Sequence, residues 1–343
     1  MEDNRIIRVP LPVALLRSMD ALILNRVGGY ENRAEFVRES IEALVMELTY
    51  EPAEELQRGT ASEDDRSEPL VSTKDPSVSH RPSMDMTALE TPDTFTVCEG
   101  VATVDSQAMF GLHNRDYPSL WALAQIAQMT SKGAQPFDDC VARLLAHAWS
   151  YGQTLTALEE AGEGKLTALF PTNRAKPQSA QAAFENFAVG GYSLMADQLR
   201  AYGPLFAWRT CQLEIADDAS VLVALTREGQ DLICALKGLT ARTPHPEPMS
   251  TAFALHLKRH CPEDWWGFEL VLTYAQDGIS RERLAEVFRE REPAWGPSVA
   301  ATNAAGYVAR AREWGLLEGQ MVNRQYRLSE YGRSLLDSER NAT

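Results

Sequence analysis

Cysteine is scarce in this chain: five residues in 343, at positions 98, 140, 211, 234 and 261. The number is odd, the spacing is wide and no C-x-x-C pair occurs, so neither a disulfide framework nor a zinc ribbon is signalled, and a reducing cytoplasm fits best. Long apolar runs are missing too. Nowhere do 18 apolar residues follow one another, and the start, Met1-Glu2-Asp3-Asn4, has no signal-peptide core, so neither a membrane span nor a secretory leader is expected. Glycine-rich phosphate loops and the nucleophile elbow are also absent, which removes the commonest nucleotide-dependent and esterase-like chemistries. No cofactor, metal or catalytic residue is assigned from the sequence, and an enzyme is not the expected class.

What is present is an ordinary globular balance, 44% apolar and 24% charged, at a length that suggests two or three domains. The net charge of −15 is unevenly placed. Residues 51–100 hold 12 acids against 4 bases, whereas residues 279–343 hold 10 Arg against 9 acids. A protein coating nucleic acid over its whole surface is excluded by that sum, because phosphate neutralisation needs local cations. Residues 50–95 combine acids with several prolines and few large apolar side chains, the composition of a flexible acidic linker. From Thr96 onward apolar periodicity returns: Phe137, Val141, Leu144, Leu145 and Ala148 fall at helical spacing, and Leu194 and Leu199 less strictly.

The first 49 residues carry the most ordered set of cues. In Arg5-Ile6-Ile7-Arg8-Val9-Pro10-Leu11, alternation puts Ile7, Val9 and Leu11 on one face and Ile6, Arg8 and Pro10 on the other. Pro12 then opens a helix in which Leu16, Met19, Ile23 and Val27 recur, and Gly28-Gly29 closes it. Asn32 with Glu35 three positions on makes a capping box for a second helix, striped by Val37, Ile41, Leu44, Val45 and Leu48. One strand and two helices are too small a core for one chain, and intertwined dimerisation resolves this.

The arrangement resembles the ribbon-helix-helix superfamily of MetJ, Arc and CopG type. The resemblance implies a homodimer whose paired strands enter the major groove, with Ile6, Arg8 and Pro10 facing the bases and Asn32, Arg33 and Ala34 clamping a phosphate. Ile6 and Pro10 depart from the polar residues common in the family, so readout would centre on Arg8.

The remaining body shows a weak repeat. Leu225-Thr226-Arg227-Glu228-Gly229-Gln230-Asp231-Leu232-Ile233 and Leu328-Ser329-Glu330-Tyr331-Gly332-Arg333-Ser334-Leu335-Leu336 both fit L-[ST]-x-x-G-x-x-L-[IL]. A helix is expected upstream of each, over Gly191-Tyr192 to Tyr202-Gly203 and over Gly306-Tyr307 to Trp314-Gly315. Toward the C-terminus, an apolar helix over 265–274, a Ser280-capped helix over 281–291, a long helix from Pro297-Ser298 to Trp314 and a hairpin turning at 319–324 resemble the winged helix-turn-helix. That resemblance implies Asn303, Arg310 and Arg324 as DNA contacts if the domain reads DNA. The middle copy, with Asp217-Asp218 in its turn, is the poorer candidate.

Three further groups are weaker. His256, His260 and Cys261 could approach a zinc ion but lack a fourth ligand. Glu163-Gly164-Lys165 with Asp138-Asp139 has a nuclease-like spacing without the β-branched strands such a site sits on. Phe110 to Pro118 is the densest polar-aromatic cluster, and its plain reading is a helix start at Asp116 or Tyr117 with Asn114 and Arg115 bonded to a neighbouring domain.

The expected fold is therefore mainly α with small β elements: a ribbon-helix-helix module (1–49), an acidic linker (50–95) and tandem winged-helix-like α+β domains (96–240 and 250–343). The expected function is a homodimeric, sequence-specific DNA-binding regulator in the cytoplasm, associated with the nucleoid, whose partners are double-stranded DNA and itself, with a protein partner possible for the middle and C-terminal domains. The alternative is a dimeric interaction protein, such as an antitoxin, a partition factor or a scaffold of a defence complex.

Overall fold

The computed structural model describes residues 87–98, 114–195 and 198–340. The expected N-terminal module, including Ile6, Arg8, Pro10, Asn32, Arg33 and Ala34, lies outside the described residues, as does most of the acidic segment. Described elements are mainly helical with small β elements.

A short strand β1 (Val97–Cys98) precedes helix α1 (Tyr117–Met129). Ten of its thirteen residues are buried, and a helix apolar on nearly all sides belongs inside a core. Strand β2 (Gln135–Pro136) leads into α2 (Phe137–Glu160), where Phe137, Cys140, Val141, Leu144, Ala148, Gly152 and Leu155 form the buried stripe. Asp138 and Asp139 occupy its first turn, where the positive end of the helix dipole favours acids. Helix α3 (Pro177–Phe184) continues as a π-helical turn, Glu185–Val189, into the hairpin β3 (Gly191–Met195) and β4 (Gln198–Tyr202).

A single turn, α4 (Pro204–Ala207), then ends at Trp208. Strands β5 (Cys211–Ile215) and β6 (Val221–Thr226) follow, then α5 (Arg227–Ala235). Strand β6 is central: β5 pairs with it antiparallel, β2 pairs antiparallel and β1 parallel. Its sequence, Val-Leu-Val-Ala-Leu-Thr, is almost wholly apolar because both faces are covered.

Helix α6 (Glu247–His260) connects to α7 (Pro262–Ala275), α8 (Arg281–Arg291), α9 (Pro297–Glu313) and α10 (Glu330–Arg340). Ser280 caps α8 by accepting from the Arg283 amide, and Trp314 closes α9. Isolated bridges join Ile279 to Tyr326, Leu317 to Leu328 and Val322 to Gln325, the last closing a two-residue turn.

The repeat is an architectural one, and its register is shared. Gln135 pairs with Val223 and Cys211 with Leu225; Ile279 pairs with Tyr326 and Leu317 with Leu328. The central strand thus meets its two partners two residues apart in both copies. Thr226 and Ser329 do the same work at its end. Each hydroxyl accepts from a helix amide, Gly229 N at 3.0 Å and Gly332 N at 2.9 Å, and donates to a carbonyl, Arg209 O and Gly315 O, both at 2.6 Å. Arg209 and Gly315 share the left-handed conformation, at φ 60° and 68°.

Gly229 and Gly332 explain the glycine in the repeat. A Cβ on Gly229 would stand 2.1 Å from Thr210 O, and one on Gly332 2.0 Å from Leu316 O. The helix expected over 191–203 is instead the β3–β4 hairpin, with Gly191 paired to Tyr202 and Leu194 to Leu199. Close approach forces this: Gly190 and Gly203, both at positive φ, press so tightly that a Cβ on Gly203 would lie 2.2 Å from the Gly190 Cα. The counterpart of Trp314 is therefore Trp208, not Tyr202. Residues of both copies belong to one hydrophobic core, within a single compact unit spanning Met84–Thr343.

Alanine ordinarily stabilises a helix by about 1 kcal/mol relative to glycine. Gly229→Ala and Gly332→Ala should each do the opposite, losing about 1–3 kcal/mol through overpacking. Gly319→Ala, which meets nothing within 4 Å, should be neutral to within about 0.5 kcal/mol in the same urea titrations.

Candidate functional site

The strongest polar constellation lies where the two copies meet. Arg310, on α9, is fully buried. Its Nε donates to Asp116 Oδ1 at 2.7 Å, while Nη1 and Nη2 grip the two oxygens of Asp264 at 2.7 and 2.6 Å. Asp116 stands at the start of α1 and Asp264 in the first turn of α7. Burial works against the Arg310 charge, but the Asp116 and Asp264 carboxylates outweigh it and hold the guanidinium protonated well above its ordinary range. Its Cζ also lies 4.7 Å from the Phe268 ring centroid and 5.2 Å from that of Tyr307.

Each carboxylate is completed reciprocally. The Trp208 indole, at the end of α4 in the first copy, donates to Asp264 Oδ2 of the second at 3.0 Å. The Trp314 indole, ending the third helix of the second copy, donates to Asp116 Oδ2 of the first at 2.7 Å. Tyr307 adds a hydroxyl to Asp264 Oδ1 at 2.9 Å, and burial drives its phenol well above the usual range. A buried ion pair contributes stability only when its remaining lone pairs are satisfied in this way.

Glu313, the last residue of α9, extends the network. Oε1 accepts from Arg115 Nε (3.3 Å), Tyr117 N (3.0 Å) and His245 Nε2 (3.2 Å), and Oε2 from Asp116 N (2.5 Å). Burial pushes its carboxyl up, yet the His245 hydrogen bond and the Arg115 charge prevail and hold it down at about 2. An unfolded Glu titrates near roughly 4.3. The stability this carboxylate contributes is therefore present above that range and lost as pH falls toward 2. Arg115 also donates to Leu166 O at 3.1 Å and to Ala241 O. The 110–118 cluster, so far as it is described, thus starts α1 and ties it to the second copy.

This placement corrects two sequence-derived DNA contacts. Arg310 has no solvent-accessible surface and its guanidinium is spent on two carboxylates, so it cannot reach a phosphate. Asn303 is 2% exposed and donates to its own helix at Val299 O, 2.9 Å. The error has one origin: helical spacing shows which residues share a face, and here nearly every face of α9 is covered. Its accessible strip runs from Pro297, Ser298 and Val299 through Ala301, Thr302, Ala305 and Ala309, with Arg312 as its one long polar side chain, at the C-terminal end.

Arg324 is exposed, at the two-residue turn of the last hairpin, where Asn323 and Arg324 both take positive φ (54° and 59°). Two arginines that the sequence left unnoticed, Arg281 and Arg312, act on its neighbours Glu282 and Tyr326. Glu282 sits in the fields of both Arg281 and Arg324, and Tyr326 in those of Arg312 and Arg281. The Arg312 Cζ lies 5.3 Å from the Tyr326 ring centroid. His256 turns its Nε2 to the Trp208 carbonyl (2.7 Å), and burial lowers its pKa to about 4. Glu163 pairs with Arg242.

The chain matches no protein-family model, no curated protein and no solved structure.

Arg310→Met would leave Asp116 and Asp264 buried without a counter-charge, which should cost about 3–5 kcal/mol in urea unfolding. Adding Asp116→Asn and Asp264→Asn should recover most of that loss. A single variant that loses less than about 1 kcal/mol would remove the guanidinium from the centre of the fold.

Proposed function

We propose that the chain is a homodimeric, sequence-specific DNA-binding regulator of the cytoplasmic nucleoid, with the N-terminal segment reading bases and the body adding a second contact. The observation that carries this reading is the order and register of the second copy. Helix α7, the short strand at Ile279, helix α8, helix α9 and a hairpin whose returning arm pairs with both Ile279 and Leu317 follow the winged helix-turn-helix order. The first copy follows the same order, interrupted by the β3–β4 hairpin. Residues 1–49 supply the ribbon-helix-helix resemblance, with Arg8 as the long polar side chain of the outward strand face.

The small side chains on the open strip of α9 assign a role by their chemistry. Alanine and threonine methyls can touch thymine methyls and let backbones approach, but they offer few hydrogen bonds for distinguishing bases. Base discrimination in this reading rests with Arg8 and its dimer mate. The chain's acidity is compatible with it, because affinity depends on where the cations sit and not on their sum.

A second reading, a dimeric interaction protein, has its own support. Val299 is 46% exposed beside the alanine strip of α9, and Met321 and Val322 are 46% and 40% exposed at the last hairpin. Exposed apolar groups on adjacent elements suit a protein partner.

The test compares the full chain with Arg8→Ala and Arg33→Ala on DNA recovered by crosslinking and on a scrambled duplex, at one fixed salt concentration. Arg8→Ala should lose the preference for the recovered sequence, worth about 1–3 kcal/mol per guanine contact, while sedimentation still shows a dimer. Arg33→Ala should weaken both duplexes alike. Retention of the wild-type preference by Arg8→Ala would give first place to the interaction protein.

A further inference from the structure

The shared register pairs residues of the two copies one for one. Arg281 follows Ile279 by two positions as Phe137 follows Gln135, and Arg312 precedes Trp314 by two as Phe206 precedes Trp208. Tyr326 corresponds to Val223 through the strand pairing itself. In both copies they lie at the start of the second helix, in the turn before the closing tryptophan and on the central strand; the first two are in ring contact in the first copy, and the last two in the second.

Their chemistry has been exchanged. In the first copy the site is a closed apolar cluster: Phe206 and Val223 are fully buried, Phe137 is 3% exposed, and the Phe137 and Phe206 rings lie 5.9 Å apart. Tyr192, from the inserted hairpin, caps it at 5.7 Å from Phe137. The second copy has no insertion, since α9 runs unbroken from Pro297 to Glu313. Arg281 is exposed, Arg312 is half-buried over Tyr326, and Arg324 stands at the exposed hairpin turn, two residues before Tyr326, with Glu282 in the field of both Arg281 and Arg324.

None of these three arginines forms an ion pair with a described residue, and the Arg312 Nε is shielded from water without a hydrogen-bond partner. Glu282 feels both Arg281 and Arg324, and Tyr326 feels both Arg281 and Arg312. The fold itself needs no charge here, as the Phe137–Phe206 pair demonstrates. Three guanidiniums brought together repel one another unless an anion lies among them, and a guanidinium presents paired donors suited to a phosphate.

We propose that Arg281, Arg312 and Arg324 seat a backbone phosphate of a nucleic acid, with the Tyr326 ring as the floor, and that only the second copy has this seat. In the first copy Phe137 and Phe206 fill the position, Tyr192 covers it, and Asp217 and Asp218 at the β5–β6 turn repel an approaching phosphate. The inference rests on the DNA-binding reading above and adds to it where the body touches the duplex and which half does so.

The experiment uses the full chain, with Arg281→Gln and Arg324→Gln combined because both side chains are exposed, and Glu282→Gln as the opposite change. Duplex affinity is titrated against salt, and thermal midpoints are compared in sodium phosphate and in sodium chloride of equal ionic strength. The double variant should bind duplex about tenfold more weakly, with a salt slope flatter by about two. Glu282→Gln should bind more tightly than wild type. Wild type that binds duplex while the double variant keeps its affinity and slope overturns the seat and leaves the DNA-binding reading standing. Wild type that binds no duplex but gains a phosphate-specific rise in midpoint, lost in the double variant, keeps the seat for free phosphate and overturns the DNA reading. Neither duplex binding nor that rise overturns both.

Discussion

The charge of Arg310 is held where water cannot reach it, and the fold is arranged to make that tolerable. A guanidinium has five donors in a rigid plane, and three of its N–H directions here end on carboxylate oxygens from the first helices of two different copies. Two indoles and a phenol complete those carboxylates. Moving either copy away would strand at least one buried charge, which is far costlier than losing apolar contact alone. The tandem copies are thus bound to one another by electrostatics as well as by a shared core. Glu313, three residues further on α9, repeats the device with Arg115 and His245.

A rigid body of this kind determines which surfaces remain for function. Because α9 is pinned to the first copy, its polar residues Asn303, Arg310 and Glu313 are consumed in structure, and its open strip carries small side chains until Arg312 near its end. The arginines of the proposed seat lie at the edges, at the start of α8, the end of α9 and the hairpin turn. The first copy shows the alternative outcome of the same architecture: an aromatic cluster capped by its own hairpin.

Much of the body's skeleton was legible in the residues. Ser280 as a cap, the helices over 281–291 and from Pro297 to the Trp314 cap, and the hairpin returning at Tyr326 follow from capping chemistry, proline position and apolar period, which are local signals. The L-[ST]-x-x-G-x-x-L motif was legible as a repeat because one geometry, a hydroxyl cap and a glycine against a carbonyl, demands it twice. The Gly191–Tyr202 hairpin was not: Leu194 and Leu199, five positions apart, share no helix face, but that mismatch alone does not announce a hairpin, which the Gly190–Gly203 approach closes. The burial of Arg310 was hidden for another reason: its partners Asp116 and Asp264 lie 194 and 46 positions away, and no local pattern announces a long-range pairing. Arg281 and Arg312 became candidates only when their counterparts proved to be phenylalanines.

If one guanidinium ties the copies together, they should not unfold separately. Native-state amide hydrogen exchange of the full chain, followed through rising denaturant, reads this directly by comparing the most protected amides of α1 in the first copy with those of α9 in the second. The account predicts that both sets open in one step, with equal free energies and equal dependence on denaturant. Opening of α9 at distinctly lower free energy, while α1 stays protected, would show two independent modules in contact and would contradict it.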